Sequence, residues 1–205
     1  MPPQPRLILA SSSPYRRELL SRLTIDFSVC SPDINETPLQ GESPADTALR
    51  LARQKAEAIA LRQANAVVIG SDQVATLDGE QIGKPGTHEN ALAQLKKMQG
   101  RSVVFHTALC VLDGRAGIAS PRLQTATVDT TVLFRTYLEP QLDAYLRIEQ
   151  PYDCAGSAKN EGLGIALIDA IRSDDPTALT GLPLIALSRM LMLAGFVFFA
   201  DATNR

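Results

Sequence analysis

With 205 residues, of which 45% are hydrophobic and 20% charged, the chain has enough apolar material for a core that needs no disulfide staples. Its formal net charge of −2 and pI near 5.7 provide no global basic field, which sets nucleic acid aside as a partner and leaves any bound phosphate to local cations. Cys30, Cys110 and Cys154 are too widely spaced for a disulfide framework or a zinc site and read as buried thiols in a reducing compartment, while two histidines, His88 and His106, give a metal centre or a Ser-His-Asp triad little material and read as structural.

In chain order, the opening MPPQPRLILA carries one arginine and only a four-residue apolar run, so it is not read as a signal peptide. Residues 7–10 read as a buried strand that enters a helix through a hydroxyl-rich turn. Ser13 is suited to cap that helix and Pro14 to its first turn, and Tyr15, Leu19 and Leu23 follow at i, i+4, i+8. The positive end of the helix, flanked by Arg16 and Arg17, is equally compatible with an anion site or an ordinary capped surface helix. Residues 27–38, with the acidic turn PDINETP, read as loop or edge strand. Ser43, Pro44 and Asp46 then form a capping-box variant opening a helix to about residue 62, its stripe made of Leu49, Ala52, Ala56, Ile59 and Ala60 with Lys55 on the border.

Residues 66–70 read as a buried strand ending at SDQ, and 74–77 and 81–83 as a hairpin around Asp78-Gly79 that delivers GKP. Thr87 caps a helix through Met98 that Gly100 closes. A second hairpin pairs 102–112 with 123–134, and Pro140 starts a helix to about Glu149. The glycine-rich CAGSAKNEGLG, a strand-like IALIDAIRS and a terminal helix complete the chain. The nineteen mostly apolar residues 182–200 approach membrane-spanning length, but Arg189 near the centre and the bracketing Pro183 and Gly195 make them a core helix with a short apolar tail, in a cytoplasmic protein with no membrane partner. Interleaved helices and hairpins predict an α/β fold with a mixed sheet flanked by helices, and no repeat or linker divides residues 1–205.

The candidate chemistry sits where strands end or turns occur: Arg16 and Arg17, Glu36 in NETP, Asp72 in GSDQ and Lys84 in GKP, with Lys55 at a helix edge. Acids that hold a hard divalent cation or orient a water, set among cations that neutralise phosphate, are what hydrolysis of a polyphosphate requires. Individually each residue is as compatible with a cap, a turn acid or a solvated lysine. The GLG at 162–164 is a weak phosphate signal, since neither a P-loop nor a Rossmann glycine pattern is present.

The segments LASSSPYRRELL, NETP, ARQKA, IGSDQV, GKP, CAGSAKNEGLG and LTGLPLIAL, in this order and across nearly the whole chain, closely resemble the Maf family of nucleoside triphosphate pyrophosphatases. The resemblance implies a fold like that of the inosine triphosphate pyrophosphatases, with an elongated mixed sheet, two lobes and a central cleft, commonly as a homodimer. It also implies the reaction of a nucleoside triphosphate with water to give the monophosphate and pyrophosphate, with Mg²⁺ or Mn²⁺ as cofactor. By position, Asp72 matches the family's proton acceptor, and Ser11, Arg16, Glu36, Lys55 and Lys84 match its phosphate- and metal-handling residues, with Glu36 and Asp72 offering the metal oxygen ligands. Whether Asp72 acts as base, metal ligand or both stays open.

Tyr15, Gln73 and Glu161 occupy the positions that distinguish the family's branches, and this set resembles the 7-methylguanosine triphosphate branch rather than the dTTP and UTP branch. A methylated, cationic guanine suits an aromatic face and a carboxylate that accepts from its Watson–Crick edge. Tyr15 stands where the resemblance leads one to expect tryptophan. A nucleotide-binding regulator of septum formation is the reading from outside enzymology. Retention of Asp72, Glu36, Lys55 and Lys84 favours the enzyme, because a mere binder needs no water-activating carboxylate.

Overall fold

A computed structural model describes residues 4–117 and 122–199. Strand β1 (Leu7–Ala10) is buried throughout and leads into α1 (Pro14–Ser21), whose cap Ser13 accepts a hydrogen bond from the Arg16 N–H, as its hydroxyl and the following proline require. Strand β2 (Phe27–Cys30) follows, then α2 (Pro44–Ala60), where the Ser43 hydroxyl accepts from the Asp46 N–H and donates to its carboxylate at 2.6 Å. Next come β3 (Val67–Leu77), β4 (Glu80–Ile82), α3 (His88–Met98), β5 (Ser102–Asp113), β6 (Leu123–Phe134) and α4 (Glu139–Glu149). Two 3-10 turns, β7 (Ile168–Ser173) and α5 (Leu184–Leu193) end the described chain.

One seven-stranded mixed sheet runs β2-β1-β3-β5-β6-β7, with β4 paired to β3. β1 is parallel to both β2 and β3, and the remaining pairs are antiparallel, with β3–β4 and β5–β6 the two hairpins that the sequence predicts. Apolar packing divides along the sheet. At one end α1 and α5 cover β1 and the start of β3 while α2 covers the other face; at the far end α3 and α4 pack on the last residues of β3, the first of β5 and the last of β6. Two lobes on one sheet leave a cleft between them.

Two readings of the sequence need correction. β3 does not end at Gly70 but continues unbroken through Ser71, Asp72 and Gln73 to Leu77. Gly70 is needed for close approach instead: a Cβ there would collide with the Ala52 carbonyl and the Ala56 N–H of α2. Asp72 therefore belongs to the middle of a buried strand, not to a turn. The buried stripe of α2 is also rotated toward Lys55: Ala48, Leu51, Ala52, Lys55, Ala56 and Ile59 are buried, while Leu49 and Ala60 are only partly so.

The terminal helix buries Leu187, Met190 and Leu191. Of the apolar tail, residue 200 lies outside the described residues, as do residues 1–3 of the opening segment. No helix among the described residues is long and apolar enough to cross a membrane. Cys110 is buried, and burial pushes both its thiol and that of Cys154 up to about 12. His88 bonds Tyr152 and Asp143, and His106 bonds Asp129, so both histidines tie elements together.

Candidate active site

The cleft has a volume of about 530 Å³ and is lined by Ser11, Tyr15, Arg16, Glu36, Lys55, Asp72, Gln73, Lys84 and Glu161, nine of the ten candidate residues. Arg17, the second arginine of the pair, is exposed and belongs to a shallower groove on the outer side of α1. One helix position separates the two, and 100° of rotation sends Arg16 inward and Arg17 outward.

Lys55 is the centre of the charged cluster. It reaches from the buried face of α2, only 6% exposed, and its Nζ donates to Asp72 Oδ1 at 2.6 Å and pairs with Glu36 Oε1 at 2.7 Å. A buried ammonium is costly unless paired, and two carboxylates from β3 and the β2–α2 loop supply the pairing. Burial pushes the Asp72 carboxyl above the usual carboxylate range, with the Lys55 and Arg16 charges opposing but not cancelling that rise. Glu36, more open at 56% side-chain exposure, goes the other way: burial pushes it up, but the Lys55 hydrogen bond and the charges of Lys55, Lys84 and Arg16 outweigh this and hold it below its ordinary value. Two acids on one ammonium are thus driven apart in acidity, which suits one to carry a proton and the other to stay charged.

Arg16 is fixed from two sides. Its Nε donates to the Gly181 carbonyl at 2.8 Å, and an Nη lies 3.5 Å from Ser11 Oγ. Burial lowers its pKa from the ordinary guanidinium value, with the charges of Asp72 and Glu36 counteracting. Gly181 sits at φ +104°, a conformation that favours glycine, while a Cβ on it would meet the guanidinium only in ordinary contact at 3.4 Å. Ser71, next to Asp72, donates its hydroxyl to Ala108 O at 2.8 Å and to Gly181 O at 2.9 Å as alternatives.

The other wall is formed by the segment between α4 and β7. Glu161 is raised in pKa by burial, and Asn160 beside it donates to Thr180 Oγ1 at 3.1 Å. Tyr15 faces this wall from α1, where burial raises its hydroxyl pKa and the charge of nearby Lys159 opposes that rise. Gln73 is held by its amide nitrogen, which lies 2.8 Å from Thr107 Oγ1 and 3.0 Å from each of the carbonyls of Ala178 and Leu179. Lys159, Asn160, Thr180 and the carbonyls of 178–181 were not singled out from the sequence. Lys159 and Asn160 lie inside the glycine-rich motif and were within reach of sequence reasoning, whereas backbone carbonyls leave no mark in it.

Residues 6–194 match the family model described as Maf-like protein, and the chain belongs to the Maf family. Over 196 residues it is 66% identical to the 7-methyl-GTP pyrophosphatase of Cupriavidus metallidurans, with 96% of each chain covered. It is 65% identical over 209 residues to the 7-methyl-GTP pyrophosphatase of Burkholderia thailandensis, covering 98% of this chain and 95% of the relative. Among solved structures it is similar to a nucleoside-triphosphatase (dITP/XTP pyrophosphatase) of Mycobacterium abscessus, at 17% identity and a TM-score of 0.41, covering 93% of this chain and 97% of that one.

Proposed function

We propose that this protein hydrolyses 7-methyl-GTP to 7-methyl-GMP and pyrophosphate, removing a modified nucleotide before it can be incorporated. The observation that carries the reading is the Lys55 ammonium held between Asp72 and Glu36, with Arg16 on the same cleft. The relatives named for this activity, matched over nearly their full length, support the choice of base.

In this reading Asp72 accepts a proton from the water that attacks the α-phosphorus, and the bond from that phosphorus to the bridging oxygen breaks to release pyrophosphate. Its raised pKa makes it a stronger base than an exposed aspartate. Ser11, Arg16, Lys55 and Lys84 hold the phosphate oxygens and offset the charge that grows on the leaving group. Glu36 and Asp72 fit a small hard cation: a Mg²⁺ or Mn²⁺ bound through one or two carboxylates takes its other ligands from water and substrate phosphates. No group of three or more His, Cys, Asp or Glu that could hold a metal occurs among the described residues, so a dedicated all-protein cage is not what these residues build. A divalent cation bound there supplies charge neutralisation at the phosphates. Tyr15, from α1, stacks on the cationic base, Glu161 on the opposite wall accepts from its Watson–Crick edge, and Gln73 of β3 completes the subsite. The same reading makes the protein a single-domain cytoplasmic homodimer, the homodimer being an expectation of the family resemblance and the undivided chain and its location expectations of the sequence.

The test is kcat/KM for 7-methyl-GTP, GTP, UTP and dTTP, read by pyrophosphate release. The expected order is 7-methyl-GTP, then GTP, with UTP and dTTP far below. A preference for UTP or dTTP overturns the base assignment, and nucleotide binding without turnover overturns the enzyme.

A further inference from the structure

Asp175 stands outside the cleft and lines no part of it, yet it is only 2% exposed and carries an unusual density of hydrogen bonds. Its Oδ1 accepts from the Thr177 N–H at 3.1 Å and from the Thr177 hydroxyl at 2.8 Å, or that hydroxyl turns to the Leu182 carbonyl, also at 2.8 Å. Its Oδ2 accepts from the Ile185 N–H at 2.7 Å and the Ala186 N–H at 3.3 Å. The two ends of the segment 175–185 are thereby pinned to one carboxylate, at the positive end of α5, where a negative charge is favoured. Thr177 Oγ1 also accepts from the Leu184 N–H at 2.8 Å. A neutral amide cannot replace this arrangement, because both oxygens face donors and an NH₂ group would oppose two of them.

Between the pinned ends the segment turns three carbonyls toward the cleft residues. Gly181 O accepts from Arg16 Nε and is within reach of the Ser71 hydroxyl, while Ala178 O and Leu179 O accept from the Gln73 amide nitrogen. Thr107 adds a hydroxyl that donates to Ala178 O at 3.0 Å. This surrounds one end of the Gln73 amide with acceptors and fixes which atom is which: a flipped amide would set its oxygen against two carbonyl oxygens. The amide oxygen is left without a protein partner among the described residues and is not a buried unsatisfied atom, so it is the end that remains for a ligand in the cleft.

We propose that Asp175 is a positioning residue that acts on the cleft through the 176–183 carbonyls, holding the Arg16 guanidinium in place and fixing the Gln73 side chain with its oxygen, an acceptor, toward the substrate. The acceptor selects for a donor on the nucleoside, such as an amine or N–H on a purine edge or a ribose hydroxyl. The part that concerns substrate rests on the nucleotide pyrophosphatase reading above; the part that concerns Arg16 and Gln73 does not.

The experiment compares wild type, Asp175→Asn and, as a milder break of the same clamp, Thr177→Val. The first readout is hydrogen exchange of the Gln73 side-chain NH₂ and the Arg16 Nε–H by NMR. In both variants protection at these two side chains falls by about tenfold or more, as outer supports of site residues characteristically weigh, although neither side chain touches residue 175. The second readout is kcat/KM for 7-methyl-GTP relative to UTP, which drops in the variants and approaches the ratio of Gln73→Ala, with little further loss in the double variant Thr177→Val/Gln73→Ala. Unchanged protection of Gln73 and Arg16, with only a lowered Tm, overturns the proposal and leaves Asp175 as a helix cap. If wild type turns over no nucleotide, the function reading fails while the exchange data still decide whether the clamp acts on the cleft; should Asp175→Asn not fold, Thr177→Val decides alone.

Discussion

Arg16, Lys55 and Asp72 hang from α1, α2 and β3, the regular elements of the first lobe, and are tied to one another by charge; Glu161, Lys159 and Asn160, across the cleft, stand on an irregular segment with two short 3-10 turns. The first wall needs its geometry held to fractions of an ångström, because proton transfer and charge stabilisation fall steeply with distance, and helices and a central strand supply that rigidity. The second wall needs shape and a few polar groups, and a segment held by single contacts, such as Tyr145 to the Ser157 carbonyl at 3.2 Å and the Glu149 carboxylate to the Leu163 N–H at 2.7 Å, is enough. The contrast predicts that damage to the first wall removes turnover, and that damage to the second changes which nucleotide is turned over.

Chelation should have the largest effect. With EDTA in excess the reaction stops and returns on adding Mg²⁺ or Mn²⁺, while full activity in metal-free buffer would remove Glu36 and Asp72 from a metal-binding role. Asp72→Asn comes next, with a loss of at least about 10²-fold in kcat and an unchanged circular dichroism spectrum, since the amide keeps the shape but not the basicity. Near-normal turnover in that folded variant would move the base elsewhere.

The pH profile sharpens the contrast. Burial favours the neutral acid at Asp72 and raises the pH at which it ionises, and only the ionised form accepts a proton, so activity rises with pH along an acidic limb above the range of an exposed carboxylate. Lys55→Met removes the nearest opposing charge and moves that limb to still higher pH. It also strands a buried carboxylate, at a cost in stability of about 3–5 kcal/mol when Asp72 is ionised. An acidic limb that does not move in Lys55→Met would show that Asp72 does not set it.

Glu161→Gln has the smallest effect on turnover and the most specific. The preference for 7-methyl-GTP over GTP, to which a cationic ring over Tyr15 contributes about two- to thirtyfold (about 0.5–2 kcal/mol), erodes in this variant more than turnover does. Equal loss for all nucleotides would place Glu161 among the groups that handle the phosphates.

Much of this was legible in the sequence, for identifiable reasons. Ser13, Ser43 and Thr87 announce helix starts by chemistry that the structure uses as such, and the strand-to-helix junction at Ser11–Arg16 put its polar residues on the cleft. Gly70 misled because a glycine needed for helix-to-strand contact looks the same, in one dimension, as a glycine ending a strand. Lys55 was placed on the border of a helix stripe because periodicity cannot show that two acids from distant segments make a lysine tolerable inside. The carbonyls of 178–181 were invisible, since every residue carries one and only the fold aims it.

The central claim is that water attacks the α-phosphorus and expels pyrophosphate. It is tested most directly by turnover of 7-methyl-GTP in ¹⁸O-labelled water, with both products analysed by mass spectrometry. The account predicts one ¹⁸O in 7-methyl-GMP and none in pyrophosphate; label in the pyrophosphate would place the attack on the β-phosphorus and contradict it.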